Sequence, residues 1–596
     1  MAIPPGILYL SRILPVALFP SAVAYVILRR LALFQTPWIS VLAAFAVQPI
    51  LFGLSILYTS AAERIDAKKR GAVAIPQIPD RWPGGLTNVA FIGKRLRTGF
   101  PGDFFAEWFE RYGNTILVRL LFSNQIGTTE PAYIKVMLTT DPENFWKGPV
   151  DCEWGYSLLG TGIFNTDDEM WKFHRSMTRP FFTRERILEF AIFEKYANNA
   201  IDQAATRLRE GYAVDFQDVA SRFTLDSSTE FLFGKSADSL SGGLAYPESS
   251  SEKNPASFLN HPSNGFVHAF VEAQRLHVSR SRFGAKWRLN EFWRDEVKVH
   301  REASTFRIVA GTLIVTSRKV IDQFIEPIVN DALAEKARHS TQDSKPESET
   351  LLGHLLTVTE DKDIIRDEVL NMLVAGRDTT AATLTYAVYM LAEHPTMADR
   401  LRNEILDKVG TSKVPTHDDI KAMPYLRAFI NETLRLYPPV PLDTRTSKNA
   451  TTWPATIPGG RPFYVPAKTK VIYSVFLMHR RTDLWGPDAL KFDPDRFMDD
   501  RLHRYLTPNP FIFLPFNAGP RICLGQQFAY QEASFFLVRL LQRFKTFALA
   551  PDAQPKYSKA PPSWQSSKLK SREKVKFGTS LTIYAKGGLW VRMQEV

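Results

Sequence analysis

The sequence predicts an α+β protein, mainly helical with small β-sheets, carried behind an N-terminal hydrophobic anchor. Three observations predict this. Apolar residues recur at helical spacing through most of the chain beyond residue 86. Strand-like runs, such as Thr579-Ser580-Leu581-Thr582-Ile583-Tyr584, are few and short. The first sixty residues are the most apolar part of the chain. With 596 residues and 45% hydrophobic content the chain buries a large core, and a length of this kind ordinarily divides into several domains. The order of the motifs below favours one large body, residues 86–596, plus the anchor.

The anchor region, residues 1–60, holds two apolar stretches, Ile13 to Leu28 and Trp38 to Tyr58. The second is about long enough to cross a bilayer, so one span is expected at 38–58. Arg12 and the prolines Pro4, Pro5 and Pro15 weaken the first as a span, and its role stays open. A buried N-terminal helix of a soluble protein is the competing reading. Arg29 and Arg30 follow the first stretch, and Lys68, Lys69 and Arg70 follow the second; the latter joins the body and places it on the cytoplasmic side. Residues 61–85 then combine this basic cluster with a Pro/Gly segment, Ile75 to Gly85, which reads as a stiff hinge. Ser239 to Asn264 and His339 to Thr350 are polar and read as solvent-exposed loops.

Two cysteines, Cys152 and Cys523, rule out a disulfide framework and suit a reducing compartment, with a single bond between the two formally open. The net charge of +12 favours an anionic partner, either an acidic protein or a lipid surface. No Arg- or Lys-rich tract of nucleic-acid type stands out.

The run Phe516-Asn517-Ala518-Gly519-Pro520-Arg521-Ile522-Cys523-Leu524-Gly525 sets a lone cysteine between glycines. A thiolate bound to iron requires backbone N–H groups close to the sulfur, which glycine permits, and Arg521 is placed to pair with a carboxylate on a ligand. The helical pattern from Gln526 to Phe544 puts Cys523 just ahead of a helix N-terminus, which favours the anion. Taken alone, a single cysteine is also a small buried hydrophobe. Phe516, Gly519, Arg521, Cys523 and Gly525 together resemble the haem-binding loop of the cytochrome P450 family, spacing included. The resemblance implies the cytochrome P450 fold with one catalytic domain, Cys523 as axial iron ligand, and Arg521 on a haem propionate. Thiolate donation of this kind favours O–O cleavage.

Three further motifs follow in the family's order. Ala375-Gly376-Arg377-Asp378-Thr379-Thr380 lies in a helical stretch from about Ile364 to Leu391. Gly376 costs such a helix about 1 kcal/mol, so a close approach by another group is expected there. Asp378 and Thr379 are an acid and an alcohol suited to proton delivery, and the resemblance implies that role. Glu432 and Arg435, three apart on one helical face, read either as a solvated pair or as the family's core pair, with Arg496 as its third member. The resemblance makes these three structural. Trp171 and Arg175 share a helical face with His174 beside them, and they resemble the family's propionate-binding helix; Arg445 resembles another propionate-contacting arginine, and Phe516 belongs with the same cofactor set.

The details of 375–380 and 523–529 look like the fungal branch that hydroxylates alkanes and fatty acids, and like relatives that oxidise aromatic xenobiotics. One departure is the segment 301–318, β-branched and apolar where helix is expected, which reads as an insertion of the retained-intron kind. The resemblance implies a monooxygenase using haem b (iron protoporphyrin IX), O2, and electrons from NADPH through a separate cytochrome P450 reductase, with cytochrome b5 as a second donor. It also implies a hydrophobic small-molecule substrate such as an alkane, fatty acid, alkylphenol or polycyclic aromatic, an endoplasmic reticulum membrane, a cytosolic body and no nucleic acid. A haem-thiolate isomerase or dehydratase that uses no O2, and a non-enzymatic haem sensor, are the alternatives; Asp378 and Thr379 argue against both.

Overall fold

The computed structural model describes residues 4–596 except 33, 35, 183–189, 282–283, 294–304, 310–311, 317–319 and 340–349. Helices α1 (Pro5–Arg30) and α2 (Pro37–Lys69) come first and pack side by side, and Gln48 of α2 donates to the Ala17 carbonyl of α1. Both outrun their apolar stretches in the sequence, and both continue through prolines, Pro15 and Pro20 in α1 and Pro49 in α2. Bilayer-spanning helices tolerate such breaks because neighbouring groups satisfy the freed carbonyls. Only Gly6 and Ser21 of α1 and Ser40, Ala44 and Ala67 of α2 are buried. Phe19 is 69% exposed and Leu57 67%. A core helix of a soluble protein would bury such side chains, so the buried-helix reading is set aside. Both helices are long and apolar enough to cross a membrane.

The Pro/Gly segment is docked on the body rather than free. Ile78 donates to Leu117 O at 2.9 Å, Leu117 to Pro76 O at 2.7 Å, and Val73 to Pro462 O at 2.9 Å.

Beyond it, the body is helical around two central helices, α4 (Phe216–Phe233) and α6 (Lys362–Glu393), with α3 (Asp168–Thr178), α5 (Pro262–Ser281), α7 (Pro424–Leu436) and α8 (Gln526–Arg543) packed about them. Asp215 caps α4 by accepting from Gln217 N–H at 3.0 Å, and Gly234 ends it in a left-handed turn. Asp361 caps α6 through the N–H groups of Asp363 and Ile364. Both helices are buried on nearly every side, polar residues such as Asp226, Glu368 and Asn371 included, so protein surrounds them.

A five-stranded sheet holds the other side. Its strands are β1 (Thr115–Leu120), β2 (Ser123–Thr128), β3 (Phe145–Trp146), β4 (Asp443–Ser447) and β5 (Lys470–Tyr473), in the order β1-β2-β5-β4-β3. β1 and β2 form an antiparallel hairpin, β5 runs parallel to β2, and β4 pairs antiparallel with both β5 and β3. The register Trp146↔Thr446 brings Lys147 beside Arg445.

Glu432, Arg435 and Arg496 are fully buried, which decides against a solvated pair. Arg435 clasps the Glu432 carboxylate at 2.6 and 2.7 Å and donates to the carbonyls of His479, Ala489 and Lys491. Arg496 lies 3.6 Å from Glu432 and donates to Trp485 O. Glu432 also accepts from Asp493 N–H at 2.8 Å, so α7 and the segment 493–496, distant in sequence, meet on one carboxylate.

Several local expectations are corrected. Thr579 to Tyr584 is a hairpin rather than one strand: Phe577–Thr579 pairs with Ile583–Ala585, and 580–582 make the turn, where Ser580 and Thr582 are buried. Ser239 to Asn264 is not an exposed loop throughout. It contains short helical turns at Ser239–Gly242 and Ala256–Leu259, and Asp226 accepts from the N–H groups of Ser239 and Leu240, which draws both inward. Of the second polar segment, 340–349 lie outside the described residues. Within 301–318, Thr305–Val309 and Thr312–Thr316 form an antiparallel hairpin that joins no other sheet among the described residues; 301–304, 310–311 and 317–318 lie outside them.

Candidate active site

The cysteine loop is shaped by its backbone. Cys523 N–H donates to Phe516 O at 3.0 Å, closing the loop on itself. Gly519 has φ +69°, and a Cβ there would collide with the Leu138 carbonyl, so only glycine fits. Asn517 also adopts a left-handed conformation, φ 63°, and its side-chain amide reaches Asp443 at 3.2 Å. Phe516 packs its ring against Tyr530 of α8, 5.1 Å between centroids. Helix α8 starts at Gln526, as the spacing predicts. Cys523 keeps accessible surface, although many protein atoms lie around it. Burial pushes its thiol up, against the Gly525 N–H and the Arg175 charge that lower it. The Gly525 N–H at the head of α8 thus acts in the direction the spacing predicts, and burial works against it.

Around the loop stands a set of cations. Arg521 pairs with Asp167 at 2.7 Å and donates to Thr166 O at 3.1 Å. Trp171 lies beneath it, 4.5 Å from ring centroid to guanidinium carbon, and Arg175 lies 5.8 Å from the same ring. Arg175 donates to Ile522 O at 2.9 Å, one residue from the cysteine. Arg445 pairs with Asp443 at 3.1 Å. Burial and the charges of Arg521 and Arg445 push the Lys147 ammonium down to about 8. The Asp443 carboxyl is held below its usual range: burial raises it, but Arg445 and Lys147 outweigh that.

Lys147, Arg175, Arg445 and Arg521 thus gather with Asp167 and Asp443 as the carboxylates among them. A group bringing two further carboxylates and offering iron to Cys523 would complete the charge balance, so these residues fit haem. His174 has a different place. It is fully buried, with Nδ1 2.8 Å from Glu368 of α6, whose carboxylate also accepts from Ile163 N–H and from the Thr178 hydroxyl.

The acid and alcohol sit on α6 in a second set of contacts. Thr379 donates to Ala375 O at 2.6 Å. Asp378 accepts from Arg377 at 2.6 Å and from Gln274 of α5 at 2.7 Å. A Cβ at Gly376 would stand 2.8 Å from Ser228 Oγ of α4, the close approach its position in mid-helix implied.

Sequence reasoning missed Lys147, Asp167, Asp443, Gln274 and Glu368. Asp443 was within reach, two residues before Arg445, whereas Gln274 carries no local signal and meets Asp378 only through the fold.

Comparison with known proteins extends these observations. The model of the family described as Cytochrome P450 matches residues 83–258 and 297–577. Cytochrome P450 monooxygenase pvhE of Talaromyces variabilis is 37% identical over 491 residues, covering 79% of this chain and 83% of that protein. Cytochrome P450 52-E3 of Starmerella bombicola is 34% identical, covering 84% of this chain and 93% of its own. Cytochrome P450 52A12 of Debaryomyces hansenii is 34% identical over 540 residues, covering 88% and 94%.

Proposed function

Since this chain belongs to the cytochrome P450 family and is a monooxygenase, we propose that it is a membrane-anchored hydroxylase of hydrophobic substrates in which Cys523 holds the haem iron. The observation that carries the ligand assignment is Cys523, exposed in a glycine-shaped loop, with Lys147, Arg175, Arg445 and Arg521 set about it against Asp167 and Asp443 among the described residues. When bound, haem supplies the iron chemistry that inserts one atom of O2 into a C–H bond.

The chain's own residues do the rest. Arg521, Arg445, Arg175 and Lys147, with the Trp171 indole N–H, are the donors for the haem propionates. Phe516, packed at a tilt against Tyr530 of α8, supports the cysteine loop from that helix. His174 acts through Glu368, tying α3 to α6 so that the cation-bearing helix keeps its place. Thr379, whose hydroxyl donates to Ala375 O, and Asp378, held by Arg377 and Gln274 with a small fraction of its side chain exposed, are the alcohol and the acid proposed for proton delivery.

Electrons reach the site from NADPH through a separate reductase, with cytochrome b5 as a second donor, and the surplus positive charge suits an acidic partner. The substrates proposed are alkanes and fatty acids, with alkylphenols and polycyclic aromatics as further candidates, on the motif resemblance at 375–380 and 523–529. Such molecules partition into lipid, and the two long apolar helices support a membrane anchor there; an endoplasmic reticulum membrane with the body in the cytosol is the location proposed.

The test is reconstitution of the full chain with a reductase, NADPH and a panel of a medium-chain alkane, a long-chain fatty acid, an alkylphenol and a polycyclic aromatic. Hydroxylated product from at least one is expected. Cys523→Ala should lose both that product and the thiolate-type spectrum of the reduced carbon monoxide complex. A variant that keeps this spectrum overturns the ligand assignment, and a parent enzyme that oxidises none of the panel overturns the substrate class.

A further inference from the structure

We propose that α1 and α2 cross the bilayer twice as a hairpin, with the amino end of α1 on the same face as the catalytic body, and that an apolar rim of the body sits in the lipid beside them. This deepens the membrane-anchor reading and is independent of the haem chemistry.

Both outer ends of the helix pair are fixed to the body. At the start of α1, Gly6 N–H donates to Phe292 O at 3.2 Å, and a Cβ at Gly6 would collide with the Phe292 side chain. The Arg288 guanidinium stands 6.0 Å from the Tyr9 ring. At the end of α2, Asp66 accepts from the Tyr464 hydroxyl at 2.9 Å, and Ala67, Ala72 and Tyr464 form a small buried cluster. Leu31, Ala32, Phe34 and Thr36, the described residues between the helices, are therefore at the opposite pole. At 1.5 Å per residue, α1 is about 39 Å long and α2 about 50 Å, against a hydrocarbon core of about 30 Å.

The depth of the rim follows from one contact. Phe122, at the tip of the β1–β2 hairpin, meets Phe52 of α2 edge to face at 5.0 Å. Helix α2 from Pro37 to Phe52 spans about 22 Å, so about 8 Å of a 30 Å core is left for the body to enter. Phe122 covers Gly84 beside Trp82, and Lys286 joins the same turn by donating to Leu121 O at 3.1 Å. Trp82 is 65% exposed and Trp293, next to Phe292, 74%, an arrangement that water disfavours and the lipid interface suits.

Charge agrees. Arg64, Lys68, Lys69 and Arg70 lie at the body end of α2, and Arg29 and Arg30 at the turn, so the positive excess is on the cytoplasmic side in the two-span arrangement.

Cysteines introduced singly at Ala2, Thr36, Phe122 and Trp293 of the full chain, in sealed microsomes treated with a membrane-impermeant maleimide, test the proposal against the parent, whose Cys152 and Cys523 set the background. Ala2→Cys should label in intact vesicles and Thr36→Cys only after detergent. Protection of both means a single span, labelling of both means helices lying on the surface, and labelling of Thr36→Cys alone means the inverse orientation; each overturns the hairpin. Phe122→Cys and Trp293→Cys should be shielded in intact vesicles and react in detergent. If both react freely without detergent, the rim is in water and that half of the proposal fails.

Discussion

Asp378 is pinned by two donors, and Thr379 next to it spends its hydroxyl hydrogen on Ala375 one turn back. Replacing Thr379 by alanine keeps a good helix former in place and removes only the hydroxyl. Thr379→Ala should bind substrate as the parent does while product per NADPH falls by about tenfold or more and peroxide rises in its place. Unchanged coupling, measured as product against NADPH consumed, would take Thr379 out of proton delivery. Glu532 of α8 raises a different question at the same scale. It is fully buried, accepts from Ser227 at 2.5 Å, and burial pushes its carboxyl up from 4.5 to about 8, against the Ser227 and Thr380 hydroxyls. An acid whose folded pKa lies above its unfolded one gives its full stability below pH 4.5 and loses it as pH rises toward 8. Glu532→Gln removes that ionisation. Thermal midpoints should therefore move in the variant's favour by several degrees between pH 5 and pH 8, and a constant difference across that range would mean that Glu532 ionises as easily folded as unfolded.

At the scale of elements, α7 ends where Glu432 and Arg435 bind segments from 479 to 496. Glu432→Ala leaves two buried guanidinium groups short of a counter-charge, and breaking such a pair costs about 3–5 kcal/mol. Urea unfolding of the full chain in detergent should show that loss, and a cost under about 1 kcal/mol would return the pair to a marginal role. Long helices were legible from sequence because their periodic signal is long: the expected stretch from about Ile364 to Leu391 is Lys362–Glu393 in the structure, and the one from Gln526 to Phe544 is Gln526–Arg543. Short elements were not. The six residues from Thr579 to Tyr584 have strand composition, yet tertiary contact bends them, with Ile583 N–H donating to Pro439 O at 2.8 Å. Polarity also misled at Ser239, where the carboxylate of Asp226 draws the backbone into the core.

For the whole molecule, the parts of the site that lie in one contiguous loop were read directly, and those assembled by topology were not. Cys523, Arg521 and Gly519 declare themselves by spacing, whereas Lys147 joins them only because β3 pairs with β4, and Gln274 only because α5 crosses α6 near Asp378. The anchor is the largest difference. Arg12 and the prolines weaken the first stretch as a span in the sequence, yet α1 continues through Pro15 and Pro20 as one helix. Because the last turns of α2 are clamped by Asp66 and Tyr464 instead of trailing into slack chain, the enzyme does not swing on a tether. In the bilayer arrangement proposed above, its height over the headgroups would be fixed, and an electron donor held in the same leaflet would meet it by lateral diffusion in a plane.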